Sequence, residues 1–381
     1  MRYRVTCLTP LLVGDGRKLA PIDYMVWKDQ VNVLDQRRIF RLLAKGPRLD
    51  GYLSQLKRAD KLDFASWGGF AQNFADRRIP FENAAYSAYW NRAGGDSLHI
   101  PTFAAGPSGP YLPGAAIKGA LRTGMLAANW RAGMLRDVAQ RFQGERAPRR
   151  PAEPAEEQAL GPAGTTRMRL VGAADSSPVP VSQFQVYLLR VSTLVARGAG
   201  LALGWKQSPR GAVEGARPEE STPWFAEMAI PGAAFEGEWR EKPFFAQPEV
   251  RRVARWPENF QRSRIFDAAN DYAARLLGVQ KQYAQWSGLG LLQAQVEELE
   301  SRVEEARQAG ACVLCLGWGG GLLTKTAYLD TADAEYRQIL QYLPLYSRAL
   351  SANLPFPKTR RIVFLNNKPA SLPGWVRLEV A

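Results

Sequence analysis

The apolar residues of this chain change period several times, and each change predicts an element. Tyr3 to Leu8 reads as a strand that ends at Thr9-Pro10 and runs into the glycine-containing turn Val13-Gly14-Asp15-Gly16. Asp23 to Trp27 and Gln30 to Asp35 flank Lys28-Asp29 as the arms of a hairpin do. Behind Asp35, a residue suited to cap a helix, Ile39, Leu42 and Leu43 recur at helical spacing. Residues 50 to 98 are mixed, polar and aromatic, and support only a helical tendency from Tyr52 to Ala59. Ala115 to Trp130 then keeps an apolar face through Ile117, Leu121, Met125 and Leu126, with Lys118 and Arg122 four apart on another face.

Between Gly144 and Thr165 the chain turns to Pro, Ala, Glu and Arg with almost no large apolar residue, the composition of a mobile insertion or linker. Arg167 to Val171, Phe184 to Val191, Trp224 to Ile230 and Ala234 to Trp239 have strand character. The longest helical signals are Asn259 to Trp286 and Leu289 to Ala309. In the second, Leu289, Leu292, Val296, Leu299 and Val303 alternate at spacings of three and four, a packed seam. The apolar run Cys312 to Leu316, a glycine-rich loop, a helix near Ala334 to Leu350, and strands Arg361 to Leu365 and Trp375 to Val380 close the chain. Together these predict an α+β protein of two units, residues 1–165 and 166–381.

Charge adds a partner class to this outline. Fifty Lys and Arg stand against 36 Asp and Glu in 381 residues, a formal net charge of +14. Such a field attracts a polyanion, and nucleic acid is the first to consider. The segment 289–309 carries five Glu and two Arg, −3, which leaves the remainder at +17. Three cysteines are too few for a disulfide scaffold and suit a reducing compartment, and no run of apolar residues is long enough to span a bilayer. A cytoplasmic protein without membrane contact is expected. One histidine, His99, leaves no material for a His-rich metal site, and no motif asks for a cofactor.

Four segments have chemistry to offer. In Gly317-Trp318-Gly319-Gly320-Gly321-Leu322-Leu323-Thr324-Lys325, glycines let a backbone approach a ligand and aim N–H groups at an anion, with Lys325 adding charge; a packing turn is the alternative. The spacing is not that of a P-loop. Pro113-Gly114 before a helix bearing Lys118 and Arg122 is either a phosphate seat or an ordinary solvated helix face. Trp239 to Phe245 and Arg251 to Arg264 interleave cations with aromatics, as single-stranded RNA sites do, or else bury the rings and solvate the arginines. Cys312-Val-Leu-Cys315 matches a metal-ligand spacing, but in a strand its cysteines face opposite ways, so buried core thiols are expected.

Three stretches in fixed order resemble the RAMP superfamily of CRISPR-Cas proteins: Leu8-Thr9-Pro10-Leu11-Leu12-Val13-Gly14-Asp15-Gly16, then Tyr111-Leu112-Pro113-Gly114-Ala115-Ala116-Ile117-Lys118-Gly119-Ala120-Leu121-Arg122-Thr123, then Gly317 to Gly321. Ala115-Ala116 departs from the serines usual in the second. Ile100 to Phe103, Phe356-Pro357-Lys358-Thr359-Arg360-Arg361 and Gly374 to Leu378 are similar to segments of the Csm-type subunit that caps type III-A complexes near the 3′ end of the CRISPR RNA. The resemblance implies two ferredoxin-like (RRM-like) modules with helical insertions, gripping CRISPR RNA (crRNA) by its backbone. Lys118, Arg122, Gly317 to Gly321, Lys325, Lys358, Arg360 and Arg361 are the implied RNA-binding residues. Implied partners are crRNA, target RNA, neighbouring backbone and small helical subunits, and a host nuclease. A non-catalytic binder is favoured over an enzyme; the competing readings are a RAMP endoribonuclease using His99, a backbone subunit of a related complex, and an adaptor working through the acidic helix.

Overall fold

A computed structural model describes residues 1–58, 61–62, 69–143, 149–198, 200–207, 214–257, 260–347, 349–350 and 354–381. Two antiparallel sheets organise the chain. The first runs in the order Cys312–Cys315, Trp375–Val380, Arg2–Cys7, Ala234–Glu241, Val171–Ser176, so the first and last strands of the protein are hydrogen-bonded neighbours. The second has Phe184–Arg197 at its centre, flanked by Gly200–Lys206 and Thr359–Leu365 and extended by Glu214–Gly215, Lys368–Ser371 and Trp224–Ala229. A smaller three-stranded sheet, Tyr24–Trp27, Gln30–Leu34 and Ala75–Pro80, contains the expected hairpin. The helix behind it, Gln36–Leu43, starts where Asp35 accepts from the Arg38 N–H.

The period-2 pattern of the second sheet decides where the core lies. Val186, Leu188, Phe225, Ile362 and Phe364 enter one buried cluster, whereas Tyr187, Leu189, Ala226 and Val363 enter another on the opposite face. Buried on both sides, this sheet separates the two cores. Cys312 likewise faces one cluster and Cys315 packs against the other. Burial pushes the Cys7 and Cys315 thiols up to about 12 and Cys312 higher than usual, which makes all three poor nucleophiles. Helix Gly114–Ala128 lies against Arg262–Ser287 so closely that a Cβ on Gly124 would stand 2.8 Å from the Ala269 Cα.

Several expectations are corrected here. The 144–165 stretch is no linker where it is described: Glu153–Leu160 is a helix that buries Ala155, Ala159 and Leu160, because small alanines suffice where two backbones approach. Residues 144–148, like Ala59 and Asn259, lie outside the described residues. Residues 50–98 supply the strand Ala75–Pro80 and the helix Tyr86–Arg92, whose Tyr86 and Trp90 are buried. Arg167–Arg169 forms a 3-10 turn ahead of the strand that begins at Val171, and Pro344 divides the expected helix into Ala334–Gln341 and Pro344–Ser347. Along the acidic helix Gly290–Gln308, Glu297 and Glu300 reach Lys281 of Arg262–Ser287, while Glu298 and Glu305 reach Arg302 and Glu304 reaches Arg307 within the helix itself.

One buried ion pair ties the small sheet to the large one. Arg77 donates to Glu227 through both guanidinium ends, at 2.6 and 3.0 Å, with the Glu227 side chain almost wholly buried. Burial raises the Glu227 pKa, and Arg77 opposes that rise. Arg77→Ala is therefore expected to cost about 3–5 kcal/mol near neutral pH, because it strands a buried carboxylate. In that variant Glu227 holds its proton more tightly folded than unfolded. Stability is then kept at acid pH and lost as pH rises through the folded-state pKa, a slope that denaturant titrations at several pH values would read.

Candidate nucleic-acid interface

The two glycine-bearing loops singled out in the sequence meet in space. The opening loop is held open by backbone bonds at many points: the Leu12 carbonyl accepts from Trp318 N–H (2.7 Å), the Val13 carbonyl from Ala104 N–H (2.9 Å), and the Pro10 carbonyl from Gly374 N–H (2.9 Å). The late loop explains its own composition. Gly317 has φ +71°, and a Cβ there would stand 2.0 Å from the Leu12 carbonyl oxygen. Gly319 has φ +100° with the Pro373 ring 2.6 Å from its would-be Cβ. No side chain fits at either position in this backbone.

Between the loops opens a cavity of about 860 Å³, walled by Gly14, Arg17, Lys18, Asp96, His99, Thr102, Trp224, Gly317, Trp318, Lys325 and Arg361. A smaller cavity of about 240 Å³ shares Trp224 and Arg361 and reaches Gly319 to Gly321, Lys206 and Thr222. The larger wall has four cations, Arg17, Lys18, Lys325 and Arg361, against one carboxylate, Asp96. Asp15 pairs with Arg17 at 3.3 Å, and Lys325 Nζ donates to the Gly317 carbonyl at 2.9 Å, bracing the loop while lining the cavity.

Arg361 is the unusual member of this wall. Its guanidinium lies 4.9 Å from the centre of the Trp318 ring, and its Nε is buried with no hydrogen-bond partner. Burial lowers its pKa, and no carboxylate among the described residues pairs with it. A partly buried cation with no carboxylate partner, stacked on an indole and lining an open cavity, is arranged to take an anionic acceptor from outside the chain. Its neighbour Arg360 shows the alternative fate. That side chain points to the other face, donates to Gln280 (2.6 Å), Pro357 O (2.7 Å) and Thr359 O (2.9 Å), and lies 4.4 Å from the Tyr283 ring centre. Burial brings it down to about 10.

The structure thus brings Gly317, Trp318, Lys325 and Arg361 to one cavity, with Gly319, Gly320 and Gly321 at its extension. Arg360 is only 7% exposed and its Nε and Nη1 donate inside the chain, although it also borders the smaller cavity. Lys358 stands 3.7 Å from Glu214. Lys118 and Arg122 lie on helix Gly114–Ala128 and wall neither cavity; Arg122 donates to Glu156 at 2.5 Å. The N-terminal amide of that helix is already taken, Gly114 N–H donating to Asp175 at 2.9 Å, so the expected phosphate seat holds a carboxylate. Sequence reasoning missed Arg17, Lys18 and Trp224. The first two follow Gly14-Asp15-Gly16 directly, a signal present in the sequence; Trp224 read only as the start of a strand. Among the described residues no cluster of three metal-ligating side chains occurs, and no helix is long and apolar enough to cross a membrane.

With two glycine loops meeting on an antiparallel sheet scaffold, the class of protein follows. A model of the RAMP superfamily matches residues 4–324, and the chain belongs to that family. Two solved structures share its fold along essentially its whole length. One is a chain of a Csm-crRNA-target RNA ternary complex of a type III-A CRISPR-Cas system, with TM-score 0.69, 21% identity and 100% of both chains covered. The other is Csm5 of T. onnurineus, with TM-score 0.61, 18% identity, 98% of this chain and 99% of that one. No curated protein sequence matches the chain.

Proposed function

We propose that this chain is a non-catalytic crRNA-binding subunit of a type III-A (Csm) interference complex, seated at the 3′ end of the crRNA where it caps the backbone. The observation that carries the reading is the Arg361–Trp318 pair, a partly desolvated cation stacked on an indole and facing a cationic cavity between two glycine loops. Arginine on phosphate and an aromatic ring under an unstacked base are the two elements that hold single-stranded RNA with little regard to sequence. Family membership and full-length likeness to a chain of a complex named for crRNA and target RNA support the same reading. The two large sheets are then the sheets of two ferredoxin-like modules, and neighbouring Csm subunits, backbone and small helical, are the protein partners.

His99, half-buried on the wall of the same cavity, favours a second reading, a metal-independent endoribonuclease acting on CRISPR repeats. Salt titration of guide-RNA binding by the purified chain separates the two. Four cavity cations on phosphates predict a contribution of about −3 to the slope of log K against log salt, about −0.7 for each phosphate neutralised on a single strand, with little change when the guide sequence is shuffled. His99→Ala binds RNA as the parent does. A shallow slope with strong sequence preference contradicts phosphate recognition, and metal-free repeat cleavage that disappears in His99→Ala establishes the enzyme.

A further inference from the structure

The cation-aromatic segment that the cavity did not absorb forms a surface of its own. Helix Pro248–Val253 ends in a Schellman turn: the Trp256 N–H donates to the Arg251 carbonyl at 2.8 Å and the Arg255 N–H to the Arg252 carbonyl at 3.2 Å. Arg255 occupies the left-handed position of that turn, φ +56°, which glycine ordinarily fills at no steric cost. Arg251, Arg252, Arg255 and Trp256 wall a cavity of about 600 Å³ whose one carboxylate is Glu249. Trp256 stacks on Phe245 at 5.2 Å and 23°, Arg169 lies 5.4 Å from the Phe245 ring centre, and Phe244 beside it is 60% exposed. Exposed Lys242 and Arg169 continue the positive surface to Lys118 on the neighbouring helix; burial and then these two cations together lower the Lys118 pKa.

We infer that this face is a second binding surface for single-stranded RNA, distinct from the cavity at the glycine loops. It rests on the reading of the chain as an RNA-binding subunit. The two surfaces share no residue, and they flank opposite edges of the first sheet: Gly317 follows edge strand Cys312–Cys315, whereas Arg169 precedes edge strand Val171–Ser176. Four strand spacings separate those edges, about 19 Å, a span that an extended RNA strand can bridge. An exposed Phe244 amid Arg and Lys selects RNA over an acidic peptide, because bases stack on the ring while phosphates meet the cations, and a carboxylate chain uses only the charge.

The test is fluorescence anisotropy of labelled oligouridylate with the full chain, titrated against salt. A variant carrying Lys242→Gln, Arg252→Gln and Arg255→Gly should flatten the salt slope by about two units, at about 0.7 per phosphate lost. Its photocrosslink to Trp318 should remain. Arg255→Gly alone should weaken RNA binding while its melting temperature stays level or rises, since glycine relieves the left-handed backbone. An unchanged slope in the triple variant overturns the second surface, as does displacement of oligouridylate by poly-glutamate at equal charge concentration, which would mark an acidic-protein site. The parallel variant Arg361→Ala keeps the two readings apart. If it alone loses binding, the cavity stands and the second surface falls; if the triple variant alone loses binding, the second surface stands and the cavity reading falls.

Discussion

Gly317→Ala should be the most damaging single methyl in this protein. Its Cβ would penetrate to 2.0 Å of the Leu12 carbonyl oxygen, the same oxygen that accepts from Trp318 N–H, and φ of +71° is costly for any residue with a side chain. Relief requires parting the two glycine loops, and a loss of about 4 kcal/mol or more in urea unfolding is expected. The neighbours grade the effect. Gly320→Val brings its Cβ within 2.6 Å of Thr324 Oγ1 and Cγ2, a side chain already bonded to the Gly321 carbonyl, so it too is destabilising rather than a silent change in a free loop. Gly321→Ala meets nothing within 4 Å and pays only for its φ of +76°, about 1 kcal/mol. Equal losses at Gly317 and Gly321 would show that the loops do not interlock.

Arg361→Met is expected to separate stability from binding. A half-buried cation with an unsatisfied Nε gains little from its surroundings, so a methionine of similar length should leave the melting temperature level or raise it. RNA affinity should fall about 10- to 100-fold, the range of one charge-assisted hydrogen bond to phosphate. Trp318→Ala should cost a comparable factor, at about 1–3 kcal/mol per stacked base. A variant that melts much lower and binds RNA unchanged would make Arg361 a packing residue.

The sequence was legible wherever one period or one small motif dominated. The Tyr24–Trp27 and Gln30–Leu34 hairpin, the Asp35 cap and the helix Gly290–Gln308 emerged from spacing alone. It misled where alanine did the packing of a large side chain, as in Glu153–Leu160, and where mixed polar runs such as Ala75–Pro80 formed a strand by pairing with Gln30–Leu34. At the cavity, the glycine loop, Trp318 and Lys325 stood out locally because glycine and charge do, whereas Arg361 entered only through the resemblance of Phe356 to Arg361 to a Csm-type segment. Arg360 and Arg361 differ in surroundings because adjacent strand residues face opposite ways, and only the sheet's position says which face is buried. Arg17, Lys18 and Trp224 line the cavity with residues of segments as distant in sequence as Arg361, which local patterns do not encode.

The central claim is that RNA lies in the cavity between the glycine loops, against Arg361 and Trp318. Ultraviolet crosslinking of the full chain to guide RNA, with the crosslinked peptides read by mass spectrometry, tests it most directly. Crosslinks at Trp318 and Trp224, lost in competition with unlabelled guide, are the predicted result. Crosslinks that leave both tryptophans untouched, while the guide stays bound, would contradict it.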